Sequence, residues 1–167
     1  LSVSIGYNIK EINKEIQKQI KKGITLSLPT LLENNLAKKI IYEVPSAEMV
    51  RFAKNGSDVT SAAIRLSRMI TNRKIILTCG YHGWHEWYIG KTTMNAGIPR
   101  EMFNNTKTFK FNDIDSFKKV FMKNKNNIAA VILEPMNIEW PNINFLKKIR
   151  AMCSKNNTIL IFDEICT

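Results

Sequence analysis

Cysteine is scarce and poorly spaced for chemistry. Cys79, Cys153 and Cys166 are the three in the chain, with no CxxC pair among them. A disulfide framework or a zinc site is therefore not expected, and a reducing, cytoplasmic compartment fits best. Glycine and proline are also few, 7 and 5 in 167 residues, which excludes collagen-like and low-complexity material. Apolar runs reach five to six residues, far short of the roughly 20 that cross a bilayer, so no membrane partner is expected. No basic, apolar leader with a small-residue cleavage pattern opens the chain, so secretion is not expected. Acidic residues are outnumbered, 14 Asp+Glu against 25 Lys+Arg, for a net charge of +11. That balance suits a nucleic-acid binder. It equally suits AT-rich coding, because 19 of the 25 basic residues are Lys and Asn and Ile are abundant. The lysines are spread along the chain, with no cluster interleaved with aromatics. Nucleic acid is therefore not the expected partner, and a basic binding module remains the non-enzymatic alternative.

What is present is a folded composition: 44% hydrophobic and 23% charged residues. The length suits one domain or a piece of a larger one. The chain starts at Leu1 and stops at Thr167 directly after an apolar strand, which reads as a piece of a longer protein. Ile9, Ile12, Ile16 and Ile20 predict an amphipathic helix over 9–22, ended by Gly23. Thr30 caps a second helix carrying Leu32, Leu36, Ile40 and Ile41, and Pro45 closes it. Val59, Ala62, Ala63, Leu66 and Ile70 form a third helical face. Strands then alternate with helices. Ile75–Leu77, Phe109–Phe111, Ile128–Leu133 and Thr158–Phe162 read as strands. Asn112 or Asp113 caps one intervening helix, and Asn142 or Asn144 caps the other. Strands without two-residue alternation are expected to be buried on both faces, and strands separated by helices to be parallel. The fold class is α/β, a parallel or mixed sheet between helices, with no internal repeat or linker.

Ligands of open α/β sheets bind at the carboxyl ends of the strands. Three segments there carry chemistry. Asn55-Gly56-Ser57-Asp58 runs into a helix, so its backbone N–H groups and the positive helix end suit a phosphate; capping by Ser57 or Asp58 is the plainer reading. Gly80 to Tyr88 is dense in aromatics, His and Gly, which suits a platform for a flat ring with His donors nearby, or a hydrophobic loop under a neighbouring subunit. His82 and His85 lack a third ligand close in sequence, so no metal is expected. Asp163-Glu164 and Glu134-Pro135 each follow an apolar strand. A buried carboxylate needs a partner, and a protonated ring nitrogen would be one; surface or capping acids are the alternative. An Asp-Glu after a strand also occurs in NTPases, but no GxxxxGK[ST] loop is present.

The stretches EMVRFAKNGSDVTSAAIRLSR, YHGWHEWYIG, AAVILEPMN and ILIFDEICT, in this order and spacing, resemble the class-III aminotransferase family. The resemblance covers about Ile9 to Thr167 and includes the glutamate-1-semialdehyde aminomutase branch. It implies the large domain of a fold-type-I transferase dependent on pyridoxal 5'-phosphate (PLP), here incomplete: residues 1–167 would be part of the PLP-binding domain, without the N-terminal segment and the C-terminal small domain. It implies that Asn55, Gly56 and Ser57 hold the cofactor phosphate, although the family commonly reads Ser-Gly-Thr there. Tyr81 would stack on the pyridine ring beside His82, and Asp163 would hold the ring nitrogen protonated. Glu134 would lie just behind the cofactor. The Schiff-base Lys is expected downstream of Thr167. Mutases of the family usually read Tyr-His-Gly-His-Ala where this chain reads Tyr-His-Gly-Trp-His, which points to an aminotransferase, with the intramolecular aminomutase as the alternative. The partners implied are a small-molecule amino donor and acceptor and a second subunit in a homodimer.

Overall fold

A computed structural model describes residues 3–136 and 138–166. The chain divides into two compact units, residues 1–52 and 53–167. The first unit holds two helices. α1 (Lys10–Lys22) ends at Gly23, whose φ of 109° lies in the region open to glycine. Its isoleucine stripe is present but not buried. α2 (Leu31–Glu43) opens with a capping box: Thr30 Oγ1 accepts the Glu33 amide, and the Thr30 amide donates to the Glu33 carboxylate at 2.7 Å.

The second unit carries the sheet. Its elements are α3 (Gly56–Thr71), β1 (Ile75–Cys79), α4 (Glu86–Ile89), α5 (Arg100–Phe103), β2 (Thr106–Thr108), α6 (Ile114–Asn124), β3 (Ile128–Leu133), α7 (Ile143–Lys155) and β4 (Ile159–Phe162). The four strands are parallel in the order β2-β1-β3-β4. β3 lies inside the sheet and is covered on both sides, so all six of its residues are buried. Its alternate side chains serve two cores. Val131 and Leu133 join Leu77, Phe117, Phe121, Phe145 and Ile149 under α6 and α7. Ala130 and Ile132 join Ile76 and Ile64 under α3. Among the described residues no helix is long and apolar enough to cross a membrane.

Two expectations about strands change. The strand expected at Phe109–Phe111 lies earlier, at Thr106–Thr108. Its register with β1 runs Ile76 to Thr106 and Thr78 to Thr108, and the Phe109 amide donates to Thr78 O at 3.1 Å. Phe109 is the side chain that then turns into the core. β4 was expected to be buried on both faces. It is the outer strand of the described sheet, its residues are half-buried, and Phe162 is 44% exposed. The caps are resolved in favour of Asp113 and Asn142.

Candidate functional site

The carboxyl ends of β1, β3 and β4 converge on the N-terminus of α3. β1 leaves the sheet through Gly80, with φ at 104°. A Cβ there would run into the Glu134 carboxylate, so only glycine lets the chain pass. That close approach lets Glu134 accept the Tyr81 amide at 2.8 Å. Glu134 follows β3, is 5% exposed, and donates its own amide to Cys79 O at 3.2 Å. Burial, and next the Glu134 charge, push the Cys79 thiol up to about 12. Burial also raises the Tyr88 hydroxyl, with Glu134 adding to it.

The aromatic segment is a folded bracket rather than an open loop. Gly83 (φ 96°) lies directly against Ser57, and the Trp84 amide donates to Ser57 Oγ at 3.2 Å. Thr60 Oγ1 donates to His82 O at 3.0 Å. Trp87 Nε1 donates to Ser61 Oγ, which itself bonds His85 Nδ1 at 2.7 Å. Tyr88 OH donates to Gly80 O at 2.6 Å, and Thr106 Oγ1 donates to Trp87 O. The bracket thus ties the first turns of α3 to β1 and β2. Residues 86–89 within it form α4.

A cleft of about 270 Å³ opens between these parts. Asn55, Gly56, Ser57, Tyr81, Glu134 and Asp163 all line it. Asn55 is the helix cap, its Oδ1 accepting the Asp58 amide at 3.0 Å, whereas Ser57 and Asp58 lie inside α3. The amides of Gly56 and Ser57 are the first two of the helix, which α-helical geometry leaves without intrahelical acceptors. The Tyr81 ring is open to the cleft side at 56% exposure. Asp163, just after β4, is 6% exposed; its amide donates to Leu133 O at 3.0 Å and its Oδ1 accepts the Ile165 amide at 3.3 Å.

His82 does not line the cleft. Its ring is buried behind Asp163, with Nδ1 2.8 Å from Asp163 Oδ2 and Nε2 3.1 Å from Cys79 O. It reaches the cleft only through Asp163. His82 and His85 therefore turn to different partners, and among the described residues no three His, Cys, Asp or Glu groups are placed to hold a metal ion. Gly83 and Trp84, within the aromatic segment nominated from the sequence but not singled out as ligand residues, also line the cleft, and sequence reasoning missed Ile165 and Cys166. Their signal was adjacency: each sits within three residues of a nominated one. Glu164, singled out with Asp163, is exposed and does not line the cleft.

Comparison with known proteins decides the family. The Aminotransferase class-III family model matches residues 1–167. This chain belongs to the class-III aminotransferase family. It is 35% identical to the 3-aminobutyryl-CoA aminotransferase of Cloacimonas acidaminovorans, covering 98% of the chain and 40% of the relative. It is 39% identical to the glutamate-1-semialdehyde 2,1-aminomutase of Francisella philomiragia, covering 98% and 41%. Its fold matches that of the FumI protein of Sphingopyxis sp. MTA144, solved in a PLP internal aldimine form, with a TM-score of 0.87 and 30% identity over 95% of the chain and 40% of that protein. The chain thus spans about two fifths of the length of the relatives it matches. The parallel sheet between helices agrees with an incomplete α/β large domain of this class.

Proposed function

We propose that the cleft is the floor of a PLP site and that the parent protein is an aminotransferase. The observation that carries this is a matched pair of opposite ends in one cleft: the amino end of α3 on one side and the buried carboxylate of Asp163 on the other. PLP has a phosphate at one end and a basic ring nitrogen at the other, so the donor set fits the group. The Gly56 and Ser57 amides bind the phosphate, aided by the positive helix end. Asp163 accepts the ring N–H and keeps that nitrogen charged. Tyr81 covers one ring face. Glu134 holds the Tyr81 backbone in place. Asn55 contributes by fixing the turn that presents the two amides. When bound, PLP supplies an electron-poor ring that carries an amino group between substrates. A Lys downstream of Thr167 is the proposed proton carrier and anchor.

The substrates proposed are an amino donor and a keto or aldehyde acceptor. The similarity to an aminomutase favours a second reading, in which the amino group moves within one substrate. A homodimer is the proposed assembly, supported by the exposed ring of Trp84, which needs cover. A cytoplasmic location is supported by three free thiols.

The test uses the full-length protein. Adding PLP should produce a visible absorption band that an amino donor shifts and a keto acid restores. An aminomutase would isomerise its substrate with no external acceptor. Absence of any PLP-dependent band would overturn the PLP reading.

A further inference from the structure

Asn55-Gly56 is the only Asn-Gly step in the chain, and it falls on the turn that opens α3 into the cleft. An asparagine followed by glycine carries a latent reaction. The Gly56 nitrogen can close a succinimide ring on Asn55 Cγ, and glycine offers no Cβ to obstruct it. The turn leaves that reaction open. The Gly56 amide is the first of the helix and has no intrahelical acceptor, and the positive helix end favours loss of its proton. Asn55 is exposed, and among the described residues its Nδ2 has no acceptor, so ammonia leaves without breaking a bond of the fold. Its Oδ1 is held by the Asp58 amide at 3.0 Å. Ser57, by contrast, is buried and clamped by the Trp84 amide, so the loose part of the turn is confined to Asn55 and Gly56. We propose that Asn55 is a self-modification site: in the cofactor-free protein it converts slowly from amide to carboxylate, and a phosphate group bound at the Gly56 amide suppresses the conversion.

The Gly56 nitrogen gives its proton to solvent base and bonds Asn55 Cγ. The Cγ–Nδ2 bond then breaks, and Nδ2 leaves as ammonia with a proton from water. Water opens the ring. Opening at Cγ leaves a side-chain carboxylate. Opening at the backbone carbonyl leaves an isoaspartyl link, which lengthens the main chain by a methylene. No oxidant or further reactant is required. At the observed ψ of 170° the ring cannot close, so the backbone at Asn55 must first turn. Helix ends open locally at low cost. A phosphate on the Gly56 and Ser57 amides removes that freedom and occupies the attacking N–H. The product sets a negative charge beside the place of the phosphate, and the two repel. The suppression and this cost to cofactor binding rest on the PLP reading proposed above; the conversion itself does not.

The test holds full-length protein, freed of PLP, at pH 8 in heavy-oxygen water beside a PLP-saturated sample. Both are then digested in ordinary water and mapped by mass spectrometry. Heavy oxygen at position 55 records conversion during the incubation alone. Asn142 is the internal control: it caps α7 through a similar bond but precedes β-branched Ile143. In the PLP-free sample, label at Asn55 should outpace label at Asn142 about tenfold or more. Equal rates at the two sites would overturn the proposal. Saturating PLP should slow labelling of Asn55 about tenfold or more. An unchanged rate in protein that holds PLP would overturn the suppression. PLP affinity is then read on aged samples. Aged wild type should bind about tenfold more weakly than fresh wild type. Asn55→Ser keeps a capping oxygen but no amide, so its aged and fresh samples should bind alike. A parallel decline in both proteins would refute the link between conversion and cofactor loss. If wild type binds no PLP, the function reading fails while the label still decides whether Asn55 converts.

Discussion

Gly83→Ala probes the joint between the aromatic bracket and α3. Gly83 has φ at 96°, and an added Cβ would meet Ser57 Cβ at 2.9 Å and Ser57 Cα at 3.0 Å, besides its hydroxyl. The backbone term alone costs about 1–2 kcal/mol for a residue with a Cβ. The collision is with helix backbone, which cannot swing aside, and overpacking of this kind costs about 1–3 kcal/mol. The total expected loss is about 2–5 kcal/mol. Gly97→Ala is the matched control: its φ is 79° and nothing lies within 4 Å of the added Cβ. It should show the backbone term only, about 1–2 kcal/mol. Urea unfolding of both variants of the full-length protein, with unchanged m-values, reads the difference. Relief of the clash would also shift Ser57 and the first α3 amides, so PLP affinity should fall in Gly83→Ala and not in Gly97→Ala. Equal unfolding midpoints and equal PLP affinities in the two variants would refute the claim that Gly83 packs against the first turn of α3 beside the proposed phosphate site.

The remaining expectations concern charge and thiols. Asp163→Asn keeps shape and removes charge; turnover of the full-length enzyme should fall at least about a hundredfold while the protein still folds, as steady-state kinetics and a thermal scan on one sample can check. Normal turnover would remove Asp163 from the site. Tyr88→Phe deletes the bond to Gly80 O and should cost about 1 kcal/mol by urea unfolding. Alkylation at pH 8 should label exposed Cys166 and leave Cys79 and Cys153 untouched, because burial pushes both of those thiols up to about 12. The same shift sets a sign: unfolded thiols ionise near 9.0 while the folded ones resist to about 12, so their contribution is intact below pH 9 and is lost as pH rises through that window. A stability that does not fall over that range in wild type, relative to a Cys79→Ala, Cys153→Ala variant, would contradict it.

The parts of the fold that bury continuous apolar surface were legible in the sequence. The run Ile128–Leu133 reads as a covered strand because both of its faces meet core. Thr30 with Glu33 reads as a helix start because the capping box is a local bond pattern. β2 was not legible, since only Thr106 of its three residues is buried and an outer strand needs no apolar run. Phe109–Phe111 drew the reading because Phe109 packs into the core just past the strand. β4 misled in the other direction: its side chains are apolar yet half-buried. At the site, six of the seven nominated residues share one cleft. The bond between His82 and Asp163 was out of reach, because the two lie 81 residues apart and no period encodes that contact. Asn55 was named as a ligand residue, and its cap bond to Asp58 shows how one side chain can shape the turn that others use.

The central claim is that one cleft receives PLP with its phosphate at α3 and its ring nitrogen at Asp163. A structure of the full-length protein with PLP tests it most directly. The account predicts phosphate oxygens within about 3 Å of the Gly56 and Ser57 amides, and the ring nitrogen within the same reach of an Asp163 oxygen. PLP bound elsewhere, or bound in this cleft with its ring nitrogen turned away from Asp163, would contradict it.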